Sequence, residues 1–436
     1  MRLTADLKGL SAVPAFRTLL AVRLISQTGD GLVQAGLAAL FFFRPQNLTS
    51  VTGVALALVV MLAPFTLVGP FTGPFIDRWR RRQILLWGNL LRAGIIAATA
   101  VMLQVVGVGA AIYVLVLIAL GINRFLLAVL SAGLPQIIHR ERLLVANSIV
   151  PTMGGAASAL GAITGVVLRL VLPAGSAQDT ASLAVAVGMY CAAAAMVTRL
   201  GIGQLGPQDW DASTGGRGAG LGRALATTLR ELGQAVRYLV RRGTPGLALS
   251  TMALHRLVYG MQLITIIVSS RNLLAPPHDA DAGLAAFGAL MGAMLAGQGL
   301  SVLLTPLAHE WVAPSAWVVV CLLGGTAGQA ILVSTHERAW MCAGLFVFGV
   351  GVQGAKIAVD TIIQADTDDA YRGRAFSIYD VLFNTAECLA AGTAVLVMPA
   401  VGWDRGLQAG LMVMAWAVAA WCWWGMRRLG GRPREV

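Results

Sequence analysis

Charge is what this sequence has least of. Of 436 residues, 12% are charged and 57% apolar, against about 25% charged in soluble domains. A soluble chain of this length has too much surface to cover with so few charges. A cytosolic enzyme, a disordered chain and a secreted disulfide scaffold are therefore excluded. Cysteine is sparse too: Cys191, Cys321, Cys342, Cys388 and Cys422 all fall in apolar runs, with no C-x-x-C among them. They read as small buried hydrophobes, not as bridges or metal ligands. No G-x-x-x-x-G-K-[ST] loop is present to cradle ATP. His139, His255, His278, His309 and His336 are scattered over different segments, which argues against a membrane enzyme. Asp366, Asp368 and Asp369 alternate like part of a calcium loop but lack its glycine and closing glutamate. No metal and no cofactor is expected. Nor is a cleavable leader, because the first apolar run already carries Arg23, Gln27 and Asp30.

What the chain has is apolar length. Twelve segments of about 20 residues or more read as spanning helices, at approximately 16–42, 51–72, 84–107, 110–136, 143–171, 180–202, 246–270, 283–305, 315–334, 338–362, 375–399 and 406–427. Lys and Arg alternate between the connecting segments, 22 on the side of the termini and 5 on the other. That bias puts both termini in the cytoplasm of a multi-pass cell-membrane protein. The net charge of +12 thus reflects orientation in the bilayer, and no nucleic-acid partner is expected.

Residues 203–245 form the one long linker. Its second part sets Leu225, Leu229, Leu232, Val236 and Leu239 at helical spacing, with Arg223, Arg230, Arg237 and Arg241 on the other face. This is an amphipathic helix on the inner membrane surface, either a regulatory, lipid-sensing element or a plain tether. Residues 1–202 and 246–436 then read as two six-helix bundles. An offset of 232 residues lays Gly73–Asp77 on Thr305–His309, Arg140–Arg142 on Arg372–Arg374 and Arg124 on Lys356. The expected fold is an all-α membrane protein, twelve transmembrane helices in two pseudo-symmetric bundles.

The loop after the second helix reads Gly73-Pro-Phe-Ile-Asp77-Arg78-Trp79-Arg80-Arg81-Arg82. It resembles the G-x-x-x-D-R-x-G-R-R signature of the major facilitator superfamily, with Arg80 in place of the second glycine. Such an acidic–basic turn can dock on neighbouring helix ends by charge and dipole, so Gly73, Asp77, Arg78, Arg81 and Arg82 form an expected conformational latch. His309 and Glu310 replace the Asp–Arg pair in the second half. His139–Asn147 and Ala370–Ser377 resemble the ERL-x-x-AN and RGR-x-FS stretches of the enterobactin-exporter and drug-exporter branch. The fifth helix carries Gly154, Gly155, Gly161 and Gly165, residues that let helices approach closely. It departs from the antiporters' G-P-x-x-G-G element.

Charges inside the spans carry most information, since each costs at least about 2.5–3.5 kcal/mol at the bilayer centre. Asp30, Arg124 and Glu387 sit near the midplane, with Arg256 slightly shallower beside His255. With Gln34 and Gln262 they are expected to line a shared polar substrate cavity. Asp30 is the expected proton site and Arg124 its partner, as the resemblance to drug exporters implies. Glu387 reads as a substrate or second proton site, or as the partner of Arg256 or Lys356. Lys356 and Asp360 read as a structural i,i+4 pair, and Trp421, Trp423 and Trp424 as an interfacial aromatic belt. The expected function is secondary transport by rocking of two bundles: a proton-driven exporter of a small amphipathic molecule such as a drug, siderophore or lipid-like metabolite. A monomer is implied by resemblance. Uncoupled uptake or lipid translocation, and a non-transporting sensor, are the alternatives.

Overall fold

The structure is a computed structural model. It describes residues 9–42, 50–67, 79–107, 109–138, 140–173, 175–206, 221–276, 279–309 and 311–430. Gly73, Asp77 and Arg78 of the expected latch lie outside the described residues, as do His139, His278 and Glu310.

The described residues are helical throughout, with no strand among them. In order the helices are α1 (Pro14–Phe42), α2 (Val51–Leu67), α3 (Arg81–Val105), α4 (Ala110–Ile137), α5 (Arg140–Val171), α6 (Ser176–Val197) and α7 (Leu221–Arg242). There follow α8 (Thr244–Asn272), α9 (Ala280–His309), α10 (Pro314–Ser334), α11 (Arg338–Asp366), α12 (Asp369–Val397) and α13 (Arg405–Arg428). Of these described helices six precede the linker helix α7 and six follow it, compatible with twelve spans. Ten of the described helices are long and apolar enough to cross a membrane.

Local chemistry sets the ends. Pro245 and Pro314 stand in the first turns of α8 and α10, where a missing N–H costs nothing. At α13 the Asp404 side chain caps the Leu407 amide at 2.9 Å. Gly243 alone separates α7 from α8 and holds φ at +88°. Any other residue would be strained there.

By internal contact the chain divides into two compact units, Met1–Leu40 with Leu67–Thr227, and Phe41–Thr66 with Thr228–Val436. The first unit's core gathers Phe16, Val22, Leu85, Val129, Leu134, Val197 and Leu205. Glycines bring its α1 and α5 into backbone contact. A Cβ at Gly31 would strike the Ser158 carbonyl, and one at Gly161 the Thr28 carbonyl. Gly154 and Gly165 face α1 as well, while Gly155 faces open space. The second unit repeats the device between α9 and α11, where Gly297 meets the Phe346 carbonyl and Gly349 that of Met294. Its core includes Met252, Cys321, Val359, Tyr379 and Cys422. All five cysteines are free, but only Cys321 and Cys422 are buried. Cys191 is exposed on α6, where the sequence reading expects burial; an apolar run facing lipid looks the same in sequence as one facing the core.

The linker helix belongs to the second unit over most of its length and is pinned to the α11–α12 turn. Tyr238 stacks on Tyr371 with centroids 4.2 Å apart and planes at 8°. Its hydroxyl accepts from the Asp368 amide at 3.1 Å. Arg242 Nε donates to the Asp366 carbonyl at 3.0 Å, and Arg374 pairs with Glu231 at 3.2 Å.

Candidate functional site

Along α1 the polar residues Arg23, Gln27, Asp30 and Gln34 recur at intervals of four, three and four, one face of a helix. Arg23 donates to Gln27 at 3.0 Å, and Gln34 is half-buried one turn beyond Asp30. Asp30 itself is 4% exposed. Its ion-pair partner is Arg92 of α3; the sequence reading names Arg124 of α4 instead.

The pair is enclosed by hydrogen bonds. Arg92 Nη2 donates to Asp30 Oδ1 and, at 2.8 Å, to the Tyr190 hydroxyl of α6. That hydroxyl donates on to Asp30 Oδ1 at 2.9 Å. Arg92 Nη1 donates to Ser26 Oγ at 3.1 Å, and Ser26 donates to Asn89 Oδ1 at the same distance. The guanidinium also lies 4.0 Å over the Tyr190 ring. Gly29 makes room for this arrangement, because a Cβ there would stand 2.8 Å from the Tyr190 ring. Among the described residues Asp30 Oδ2 has no partner and is buried, and such a group costs about 1–3 kcal/mol. Arg124 is half-buried on α4.

The second unit carries another pair. Arg256 of α8 meets Glu387 of α12, and its guanidinium lies 3.6 Å over the rings of both Tyr259 and Phe383. Gly260 lets the two helices close, since a Cβ there would stand 2.7 Å from Ala390 Cβ. His255 is buried, its ring 6.1 Å from that of Phe348, and its Nδ1 has no partner among the described residues. Gln262 donates to Gln408 of α13 at 2.6 Å. Lys356 bonds Asp360 at 2.7 Å, as their spacing predicts. Each ion pair therefore closes within its own unit.

Of the expected latch, Arg81 and Arg82 are described. Arg81 Nη1 donates to the Leu205 carbonyl at 2.9 Å, and Arg82 Nη2 to that of Thr198 at 3.1 Å. Both reach the end of α6 and its following turn, where helix carbonyls lack partners and the dipole favours cations.

Arg92, Tyr190, Ser26, Tyr259 and Phe383 are the site residues the sequence reading leaves out. Arg92 had a signal: it is one of few cations inside a span. The others have none in one dimension. Among the described residues no cluster of His, Cys, Asp and Glu could hold a metal ion.

Apolar helices of this length define an integral membrane protein. The Major Facilitator Superfamily model matches residues 19–391, and the chain belongs to that family. Two proteins described as uncharacterised MFS-type transporters, from Mycobacterium tuberculosis and Mycobacterium bovis, are each 31% identical over 394 residues, 90% of this chain and 87% of theirs. Among solved structures, the nucleoside transporter NupG aligns over 94% of this chain and 98% of its own, with TM-score 0.63 and 12% identity. A bacterial homologue of the iron transporter ferroportin, inward-facing, covers 94% and 98% with TM-score 0.62 and 15% identity. At such identities the likeness shows the fold alone. The chain is thus a multi-pass transporter of this superfamily, acting on small molecules.

Proposed function

We propose that this transporter is a proton-coupled exporter of a small amphipathic organic molecule, working by alternating access of two six-helix bundles, residues 1–202 and 246–436. The observation that carries the reading is Asp30: a carboxylate 4% exposed inside an apolar helix, with Oδ1 saturated by Arg92 and Tyr190 and Oδ2 unpartnered. A free oxygen on a buried carboxylate is a place for a proton. Arg124 keeps its expected place in the proton pathway, with Arg92 now the direct partner.

Arg256 and Glu387, with His255 and Gln262, form the substrate-facing set of the second unit. Glu387 attracts a cationic group and the Tyr259 and Phe383 rings accept its apolar part, which suits an amphipathic cargo. Gly73, Asp77, Arg78, Arg81 and Arg82 act as the latch of one conformation. The chain acts as a monomer in the cell membrane with both termini cytoplasmic.

The test compares metabolites inside and outside cells of a deletion strain, wild type and Asp30→Asn. A compound retained by the deletion and by Asp30→Asn, but released by wild type, gives the cargo, the outward direction and the role of Asp30. Depletion inside the deletion strain means uptake, and full release by Asp30→Asn removes the coupling proposal.

A further inference from the structure

Among the described residues each unit opens an apolar groove, and the two linings differ in charge. The groove of the first unit, about 410 Å³, is lined by Trp79, Trp87, Leu91 and Phe125 with no cation. The neighbouring Arg81 and Arg82 are turned onto backbone carbonyls. The groove of the second unit, about 380 Å³, lies where α7 passes into α8 beside the end of α13. Val240, Leu247, Trp421, Trp424 and Leu429 line it, together with Arg428.

No carboxylate lines this second groove. Arg428 is held 3.6 Å over the Trp424 ring, and Arg427 lies 4.0 Å over Trp423. Among the described residues neither has an acidic partner. The two guanidiniums are thus oriented by indole faces and not by a carboxylate of the described residues. Trp421 and Trp424 are each 45% exposed and Val240 67%, while Trp421 is tied to Ser250 Oγ at 3.3 Å. Half-exposed indoles anchored at one end suit the bilayer interface. A free inorganic anion has no use for the apolar wall, and a zwitterionic lipid brings, beside its phosphate, a cation that Arg427 and Arg428 repel. Cations at the rim of an apolar slot at headgroup depth match one amphiphile, a phospholipid of net negative charge.

We propose that this groove binds an anionic phospholipid, its acyl chain along Leu247, Trp421 and Trp424 and its phosphate at Arg428. Because Val240 belongs to the linker helix, a lipid seated there touches α7, α8 and α13 together and ties the linker to its bundle.

The experiment is native mass spectrometry of the purified full chain in a neutral detergent, offered phosphatidylglycerol, phosphatidylcholine or inorganic phosphate. Wild type is expected to retain phosphatidylglycerol preferentially, Arg428→Gln to retain it about fivefold less, the loss of one cation–headgroup contact, and Arg428→Lys to stay near wild type. Val240→Asp, an exposed position on the rim, gives the same loss even if Arg428→Gln does not fold. Equal retention of both lipids by wild type, unchanged retention by Arg428→Gln or Val240→Asp, or displacement of the lipid by millimolar phosphate overturns the proposal.

Discussion

The two intramembrane ion pairs are assembled from the same parts and solve the cost of burial differently. Each joins an arginine to a carboxylate, sets the guanidinium against aromatic rings and uses one glycine for access. In the first unit Arg92 is 2% exposed, and its partners are oxygen atoms: Asp30, Tyr190 and Ser26. In the second, Arg256 is 13% exposed on its side chain and sits between two ring faces. Directional hydrogen bonds fix the first pair in one geometry. Ring faces hold a cation without specifying its rotation. Under the proposed function, the first holds the proton site and the second a place where a cationic cargo competes with Arg256 for Glu387.

The sharpest way to break this comparison is to remove one arginine at a time. Arg92→Ala leaves Asp30 buried and uncompensated, and removing one partner of a buried pair costs about 3–5 kcal/mol. Arg256→Ala is expected to cost clearly less, because the Arg256 side chain is already 13% exposed against 3% for Arg92, and it rests on ring faces and not in a network of hydrogen bonds. Thermal unfolding in one detergent ranks the two. Equal losses would mean that the hydrogen bonds around Arg92 add nothing to what rings supply. Asp30→Asn combined with Arg92→Gln removes both charges and is expected to recover most of the stability without recovering transport.

Next in size is the glycine beside each pair. Gly29→Val drives a side chain into the Tyr190 ring, and Gly260→Val into Ala390. Overpacking costs about 1–3 kcal/mol. The stability losses are expected to be similar, but the transport defects are not. Displacing Tyr190 removes a hydrogen bond to Asp30, so Gly29→Val is expected to change the pH dependence of transport. Gly260→Val is expected to change apparent substrate affinity instead. Initial rates over a pH series and over a substrate series separate the two effects.

Arg256→Lys keeps the charge and loses the planar stack on Tyr259 and Phe383. Each desolvated ring contact is worth up to about 2 kcal/mol, partly retained by an ammonium. The expected loss is about 1 kcal/mol in stability, read as the shift of the unfolding midpoint. A loss as large as that of Arg256→Ala would assign the whole effect to the rings.

How much of this was legible in sequence follows the same division between depth and neighbours. Apolar periodicity and length placed six helices on each side of a linker helix, because spanning a bilayer is a one-dimensional requirement. Burial was legible too: Asp30 and Glu387 stand in apolar runs, and both are buried in the structure. Pairing was not. Arg92 lies about 16 Å along α3 from Arg81 at 1.5 Å per residue, near the depth assigned to Asp30, so depth admitted it as readily as Arg124. Choosing between them needs the adjacency of α1, α3 and α6, which tertiary packing alone decides. The glycines of α5 announced close packing, yet Gly29 and Gly260, which open the two sites, carry no sequence pattern.

The smallest effect concerns the linker helix, where the same contrast between rings and charges recurs at the surface. Tyr238 stacks on Tyr371, and Glu231 pairs with Arg374 with side chains 45% and 38% exposed. Exposed pairs of this kind contribute about 0–1 kcal/mol and are screened by salt, whereas an aromatic stack adds about 0.5–1.5 kcal/mol beyond its buried area. Glu231→Gln is therefore expected to leave hydrogen exchange of α7 almost unchanged at physiological salt, and Tyr238→Ala to raise it several-fold. The ordering matters more than the sizes. If Glu231→Gln frees α7 while Tyr238→Ala does not, charge and not stacking holds the linker, and the linker's hold on its bundle would weaken with rising ionic strength.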